Sequence, residues 1–518
     1  MSASREKKAR KDGGVPQANP QQAAAKAKTR KNVLTGIAVA LVVVLIIGSI
    51  VLFKGPYFRT HSVAVTTGTH ELAPITVRYF YQDAFTQFYQ TYGSMLGSVY
   101  ASGSDISTQV YDEETGKTWG DALMESAIEQ IRTTYAVYDD AVANGYVLSE
   151  AGETALSNTE SMITMYATLS QVSENDYLRA TYGNGASLQS YLDYQRILVT
   201  VSYYQQENRD SYTYTTDELN AAYEESPADY NVYSYHTYLI RPDSTSESTD
   251  EEAEAAKAEA LEKAENMAAA SENDLEQYLA LCNELSGTEN YTDGTMSLRE
   301  NYRASSMSDE VKAWVTDAAR QEGDTTVIET ESGDYVLYFV SVGTNDYDAL
   351  NIRSIKISAT TTDDSGNTVA DWDTAKTQLD AFQAELDAAD DPLTALDDLA
   401  KTYSSDTNTK YDGGKYETVH RGQFESAVDD WLFDETHAAG DTTVIEGSDG
   451  YYFLYVEGSA GSYRDYLVDQ ALRNSDYSDW YNALVENATA EENDFGMGHV
   501  VRTLTVPRQS ASSSSSSN

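Results

Sequence analysis

Gly323-Asp324-Thr325-Thr326-Val327-Ile328-Glu329 recurs, letter for letter, as Gly440-Asp441-Thr442-Thr443-Val444-Ile445-Glu446. The copies stand 117 residues apart, too far for a solenoid repeat and the right size for a small domain. Upstream, Met307, Val311, Trp314, Val315 and Asp317 answer to Phe424, Val428, Trp431, Leu432 and Asp434. The spacing i, i+4, i+7, i+8 is the apolar stripe of one amphipathic helix, written twice. Downstream, with a one-residue gap, Tyr335-Val336-Leu337-Tyr338-Phe339-Val340 answers to Tyr451-Tyr452-Phe453-Leu454-Tyr455-Val456. Short runs rich in β-branched and aromatic residues, opened by Ser-Gly-Asp or Asp-Gly, read as buried strands. Each unit is therefore helix, Gly-Asp turn, strand, Gly turn, strand, and the chain reads as holding a duplicated domain.

The 518 residues carry a formal charge of −48, unevenly spread. Residues 1–32 hold nine Lys/Arg against Glu6 and Asp12, a basic tail on an acidic body. Such a body repels nucleic acid, and no nucleic-acid partner is expected. Val33 to Phe53 is an uncharged run of 21 residues, enough at about 1.5 Å per residue to span a bilayer core of about 30 Å. It exceeds the apolar core of a signal peptide, and Lys54-Gly55-Pro56-Tyr57-Phe58 offers no small-residue cleavage site. The positive-inside rule then sets the N-terminus in the cytoplasm and the body outside. The expectation is a single-pass anchor in the cell membrane. Cys282 is the only cysteine, so no internal disulfide can form; its amphipathic surroundings mark it as a small buried residue.

Taken in order, residues 1–32 are expected to be a disordered cytoplasmic tail and 33–53 the membrane helix. A mostly helical domain should fill 60–228, with Ala122–Val142, Glu150–Leu169 and Leu188–Gln206 among its helices. Its many tyrosines offer large amphipathic contact area, for a core or for a bound chain. Two domains of one design should follow at 229–347 and 348–460, each opening on a strand, Val232–Ile240 and Ile352–Ser358. A closing helix over Tyr463–Asn487 and a strand over His499–Val506 are expected in 461–508, before a Ser-rich disordered tail at 509–518. The fold class is α+β.

No phosphate loop, dinucleotide fingerprint, metalloprotease motif or nucleophile elbow is present, which argues against nucleotide binding and cofactor chemistry. The six histidines, His61, His70, His236, His420, His437 and His499, show no metal-ligand spacing. In the second copy, Tyr403-Ser404-Ser405-Asp406, Gly413-Gly414, Arg421-Gly422-Gln423-Phe424, Gly440-Asp441 and Gly450-Tyr451 stand in one order. That order resembles the parvulin family of peptidyl-prolyl isomerases. The first copy carries Asp293-Gly294, Met307, Gly323-Asp324 and Tyr335. Helices before and after such modules are similar to the envelope foldases of the SurA and PrsA type, in which the two chain ends form a chaperone lobe. The resemblance covers about residues 60–490.

The resemblance implies a histidine on the first strand and another after the Gly-Tyr of the last. Here those positions read Thr237 and Ser354, then Val336 and Tyr452. His236 lies one residue early, and side chains alternate along a strand, so it should face the other way. Isomerisation crosses a barrier of about 18–20 kcal/mol, lowered by holding the twisted amide in an apolar groove with placed polar groups. The resemblance implies a groove lined by Met307, Trp314 and Tyr335 in one copy and by Phe424, Trp431 and Tyr451 in the other, with its polar lining largely gone. The expected function is a membrane-anchored foldase and chaperone for unfolded or extended secreted polypeptides, with weak or lost isomerase activity. The alternatives are an active isomerase built on other residues, Ser354 and Tyr452 first, or a scaffold for another envelope protein.

Overall fold

Side-chain caps fix where many helices begin. Thr118 with Asp121, Thr215 with Glu218 and Thr249 with Glu252 form reciprocal capping boxes, each satisfying backbone donors that the first helical turn leaves open. The computed structural model of the protein describes residues 35, 37–46, 55–243, 249–363 and 365–507. Residues 37–46 are helical, and no helix among the described residues is long and apolar enough to cross a membrane. Much of the run Val33–Phe53, and the tails 1–32 and 509–518, lie outside the described residues.

The chain divides into two compact units, one of residues 1–211 with 476–518 and one of 212–475. In the first, a hairpin of Val65–Thr67 and His70–Leu72 takes Glu491–Glu492 as its third strand. Helices Pro74–Val99, Trp119–Ala143, Glu150–Leu169, Glu174–Tyr182 and Leu188–Ser211 follow. The core is aromatic: Tyr79 lies 4.9 Å from Tyr182 and 5.2 Å from Tyr194 between ring centroids. Two of these hydroxyls have partners, Tyr194 donating to Asp83 at 2.6 Å and Tyr79 paired with Ser190 at 2.8 Å, as burial requires. The strand expected over His499–Val506 is absent. The segment starts with a turn at His499 and Val500 and then makes one isolated bridge, between Asp105 and Thr505, because Leu504 and Val506 bond the irregular turn at 103–106 instead of a ladder. It still buries Val500, Leu504 and Val506 in the first unit's core, beside Met497.

The second unit holds two four-stranded antiparallel sheets. The first comprises β1 (Val232–Ile240), β2 (Leu298–Arg303), β3 (Thr325–Thr330) and β4 (Gly333–Gly343), with helices α1 (Asp250–Ser271), α2 (Leu275–Ser286) and α3 (Asp309–Val315). The second comprises β5 (Asp348–Ser358), β6 (Lys415–Val419), β7 (Thr442–Glu446) and β8 (Gly450–Ser462), with α4 (Trp372–Asp387), α5 (Pro392–Tyr403) and α6 (Ser426–Leu432). The strand orders are β2-β1-β4-β3 and β6-β5-β8-β7, the same arrangement. A short hairpin, Thr360–Thr362 with Thr368–Ala370, occupies what the sequence suggests is a plain loop after β5.

The registers correspond as closely as the strand orders. Thr237 pairs Leu337, and Ser354, 117 residues on, pairs Leu454. Glu329 pairs Asp334, and Glu446 pairs Tyr451. Asn301 and Thr418 both take a left-handed φ, +51° and +54°, at matching irregularities where β2 and β6 pair their neighbours. The difference of 117 therefore holds through the last hairpin, and the one-residue gap inferred from sequence is not there. Tyr335, and not Val336, occupies the place of Tyr452. A one-residue slip matters because it turns every side chain to the other face.

Candidate functional site

Each face of the second sheet has its own cover. Toward α4 and α5 point Ile355, Ile357 and Phe453, packed on Leu379, Phe382, Leu396 and Leu399. Tyr451 belongs to this layer, its ring 5.5 Å from Trp372, so it does not line the opposite face as the resemblance implied. Toward α6 point Ile352, Leu454 and Val456, joined by Tyr416, Phe424, Trp431 and Tyr452. Alternation puts Ser354, which is buried, on this α6 side. Its amide donates to the Gly414 carbonyl at 2.7 Å. A Cβ on Gly414 would sit 2.5 Å from the Ser354 oxygen at a φ of +73°, so the Gly-Gly pair is what lets β6 come this close.

Phe424 is the apolar centre of that face, 5.2 Å from the Tyr416 ring and 6.5 Å from Tyr452. Polar groups surround it. The Lys356 ammonium lies 5.3 Å from the centroid of Tyr452 and 2.8 Å from Asp449 Oδ2. Burial raises the Tyr452 phenol pKa, with Lys356 partly offsetting it. Glu425 Oε2 accepts from the Ser448 amide at 2.8 Å, while Glu425 Oε1 and Asp449 Oδ1 are buried without a hydrogen-bond partner. Tyr416 donates to Asp406 Oδ2 at 2.6 Å, and Thr409 donates to the same oxygen. Burial opposes the charge on Asp406, but these hydroxyls and two amides outweigh it and hold the carboxyl below its usual range. Burial pushes Tyr416 up to about 12. Trp431 is turned to His437, 4.3 Å between rings.

The first sheet offers the same scaffold with different chemistry. Thr237 donates its amide to the Ser297 carbonyl at 2.9 Å, the counterpart of the Ser354 bond. Tyr335, Met307 and Trp314 share the α3 face with Leu337 and Phe339. The Trp314 ring is capped by the Arg320 guanidinium at 4.2 Å, itself held by Asp324 at 3.0 Å. Val336 is fully buried on the α1 and α2 face, its carbonyl accepting from Tyr278 at 2.8 Å; it lines no groove. His236 faces that side as well, with Nδ1 2.8 Å from Ser297 Oγ, so alternation along β1 holds. Where the second sheet has Lys356, Asp406, Tyr416, Glu425 and Asp449, the first has Leu239, Glu289, Arg299, Ser308 and Ser332.

The structure thus gathers Ser354, Phe424 and Tyr452 on one face, with Trp431 at its edge. Sequence reasoning missed Lys356, Glu425 and Asp449. Lys356 was reachable, since it stands two residues after Ser354 and so on the same face; the other two meet it only through the β7–β8 hairpin. Such a face can hold an amide against an apolar ring beside hydroxyl and ammonium donors. It contains no arrangement for covalent catalysis.

Residues 358–458 match the family model for the rotamase, PPIC-type PPIase domain. That segment is a parvulin-type domain, of the kind found in peptidyl-prolyl isomerases. Among solved structures, the chain is similar to the peptidylprolyl isomerase PrsA from Bacillus anthracis, at 15% identity and a TM-score of 0.18, over 27% of this chain and 58% of that one. It is also similar to PrsA from Bacillus cereus, at 10% identity and a TM-score of 0.17, over 77% of this chain and 96% of that one. The search of curated proteins found no match.

Proposed function

We propose that the protein is a foldase that binds extended or partly folded secreted polypeptides, with weak or lost isomerase activity. The observation that carries this is the match at 358–458 to a parvulin-type domain, in a sheet whose α6 face keeps Phe424 but presents Ser354 and Tyr452 where the resemblance implies histidines. Residues 232–343 are read as a second copy of the same domain, because strand order and register repeat at a constant difference of 117. Client binding draws support from the first unit, where helix Glu150–Leu169 leaves Met162, Met165, Tyr166 and Leu169 exposed along one stripe. Membrane attachment through Val33–Phe53, with the body outside the cytoplasm, rests on the uncharged run and the basic tail; protease added to wall-free cells should destroy the body, and a protected body overturns that topology.

The catalytic reading is tested by proline-limited refolding. Uncatalysed isomerisation takes about 10–100 s at 25 °C, so small accelerations are measurable. The protein should leave the slow phase within about twofold of the uncatalysed rate when substoichiometric. A larger acceleration, abolished by Tyr452→Phe, would show an active enzyme rebuilt around Tyr452 and Lys356. The chaperone reading is tested separately. A stoichiometric amount should suppress light scattering by an aggregating client without ATP, and unchanged scattering removes it.

A further inference from the structure

Where the two sheets of the second unit meet, a cleft of about 610 Å³ opens between the end of β1, the β4–β5 connection and the turn from β6 into α6. Its volume is in the range of small-ligand and peptide-side-chain sites. Two arginines line it, and both are held in place. Arg303 Nη2 donates to the Tyr463 hydroxyl at 2.8 Å. The Arg421 guanidinium lies 5.3 Å from the ring centre of Tyr347 and 4.9 Å from that of Phe433, and its own amide donates to the Tyr347 hydroxyl at 3.0 Å. His420 stacks on Tyr463 at 4.6 Å. Two cations and an imidazole are thus fixed on an aromatic platform.

Neither guanidinium has a carboxylate within 4.0 Å among the described residues. In a chain with 83 acidic residues against 35 basic ones, an arginine held by rings and a hydroxyl instead of a carboxylate is open to one from outside. Elsewhere Arg132, Arg196, Arg320, Arg353 and Arg473 each sit against a carboxylate. The cleft has acids of its own, Glu300 and Asp346, yet Asp346 reaches Arg464 at 3.8 Å and Glu300 pairs with neither arginine; Asp429 behind the cleft accepts from the Gly422 amide at 2.9 Å and feels the charge of Arg421 without pairing with it. A planar guanidinium is suited to a carboxylate approached edge-on, and holding it beforehand lowers the ordering cost of binding.

We propose that this cleft binds a carboxylate carried on a polypeptide, with Arg303 and Arg421 as its donors and Tyr347 and Tyr463 as the platform for the adjoining side chain. Its lining residues do not include Ser354, Phe424 or Tyr452, which carry the prolyl-peptide reading. It would give the protein a second hold on a client chain, selective for acidic segments or for a free C-terminus.

Fluorescence anisotropy with the full chain and three labelled octapeptides tests it. One is amidated and carries two glutamates beside a tyrosine. The second has glutamines in their place, and the third is the glutamine peptide with a free C-terminal carboxylate. At least one carboxylate-bearing peptide should bind tenfold or more tightly than the amidated neutral one, and which one does so identifies the source. Arg303→Gln should weaken that binding at least fivefold, and Arg421→Gln likewise. Because Arg421 also packs on two rings, the salt dependence of the unaltered protein serves as an independent measure. Raising NaCl from 50 to 500 mM should weaken binding several-fold, because the attraction is screened. Equal affinity for all three peptides, no binding of any, or no response to Arg303→Gln overturns the proposal. So does displacement by excess neutral prolyl peptide, which would put the carboxylate in the groove.

Discussion

His236 shows how a single residue's environment redirects its role. The ring is 4% exposed, packed between Tyr278 and Tyr338, with Ser297 as its polar partner. Burial lowers its pKa below the ordinary value near 6.5, because an uncompensated charge is costly inside a protein. The unfolded chain therefore binds the proton more readily than the folded one. Stability from the neutral ring is fully present above the unfolded pKa and is lost as pH falls through the lower, folded one. The expected outcome is that acidification from pH 7.5 to 5.5 destabilises the protein through this residue, at a slope of at most about 1.4 kcal/mol per pH unit. Urea midpoints at the two pH values check it, and His236→Asn should show a smaller drop than the parent. An equal drop in both would remove the effect. His236 is thus a packing residue of the layer beneath α1 and α2.

At the scale of elements, the β7–β8 hairpin decides which tyrosine faces α6, and its register depends on a glycine. A Cβ on Gly450 would stand 2.3 Å from the Ile357 carbonyl oxygen across the pair β8–β5, and one on Gly333 would stand 2.5 Å from the Ile240 oxygen. These are backbone atoms, so the strands themselves must part. Gly450→Ala should cost about 1–3 kcal/mol, the range for overpacking a tight site, read as a lower thermal midpoint of the parvulin-type domain; an unchanged midpoint would show the strands can yield. The hairpin also marks where sequence reading stopped. The repeated heptapeptide, the helix stripe at 307–315 and 424–432, and helix Glu150–Leu169 were legible, because each is written in local periodicity or capping. The gap between Tyr335 and Tyr451 was not, because Ser-Gly-Asp-Tyr and Asp-Gly-Tyr-Tyr align equally well by eye, and only strand pairing fixes which residue opposes which. With period two, that single position separates Val336 in the core under α1 and α2 from Tyr335 on the α3 face. Period two puts Lys356 on the face of Ser354, but its partners Asp449 and Tyr452 lie more than 90 residues away in sequence, so nothing local announces what it meets there.

For the whole molecule, the first unit draws on both ends of the described chain. Its core takes Met497, Val500, Leu504 and Val506 from beyond the last long helix. Glu491 and Glu492 pair with Thr66 and Val65. Tyr81 donates to the Arg502 carbonyl at 3.1 Å, and the Leu504 amide donates to Asp105 at 3.0 Å. Fully burying an apolar side chain of this kind contributes about 1.5–3 kcal/mol, so the four together supply about 6–12 kcal/mol. A typical domain has a net stability of about 5–15 kcal/mol. Ending the chain at residue 489 removes all four and the third strand, and should therefore unfold the first unit. The second unit, residues 212–475, contributes none of these contacts and keeps both of its sheets and its own cores. Limited proteolysis separates the two outcomes. The shortened chain should be cut rapidly within 60–211 and yield a resistant fragment near 212–475, whereas the parent resists in both. A shortened chain that resists cleavage throughout would mean that the helices hold the first unit without the C-terminal segment. Its extended path along 103–106 would then be a covering and not a part of the core.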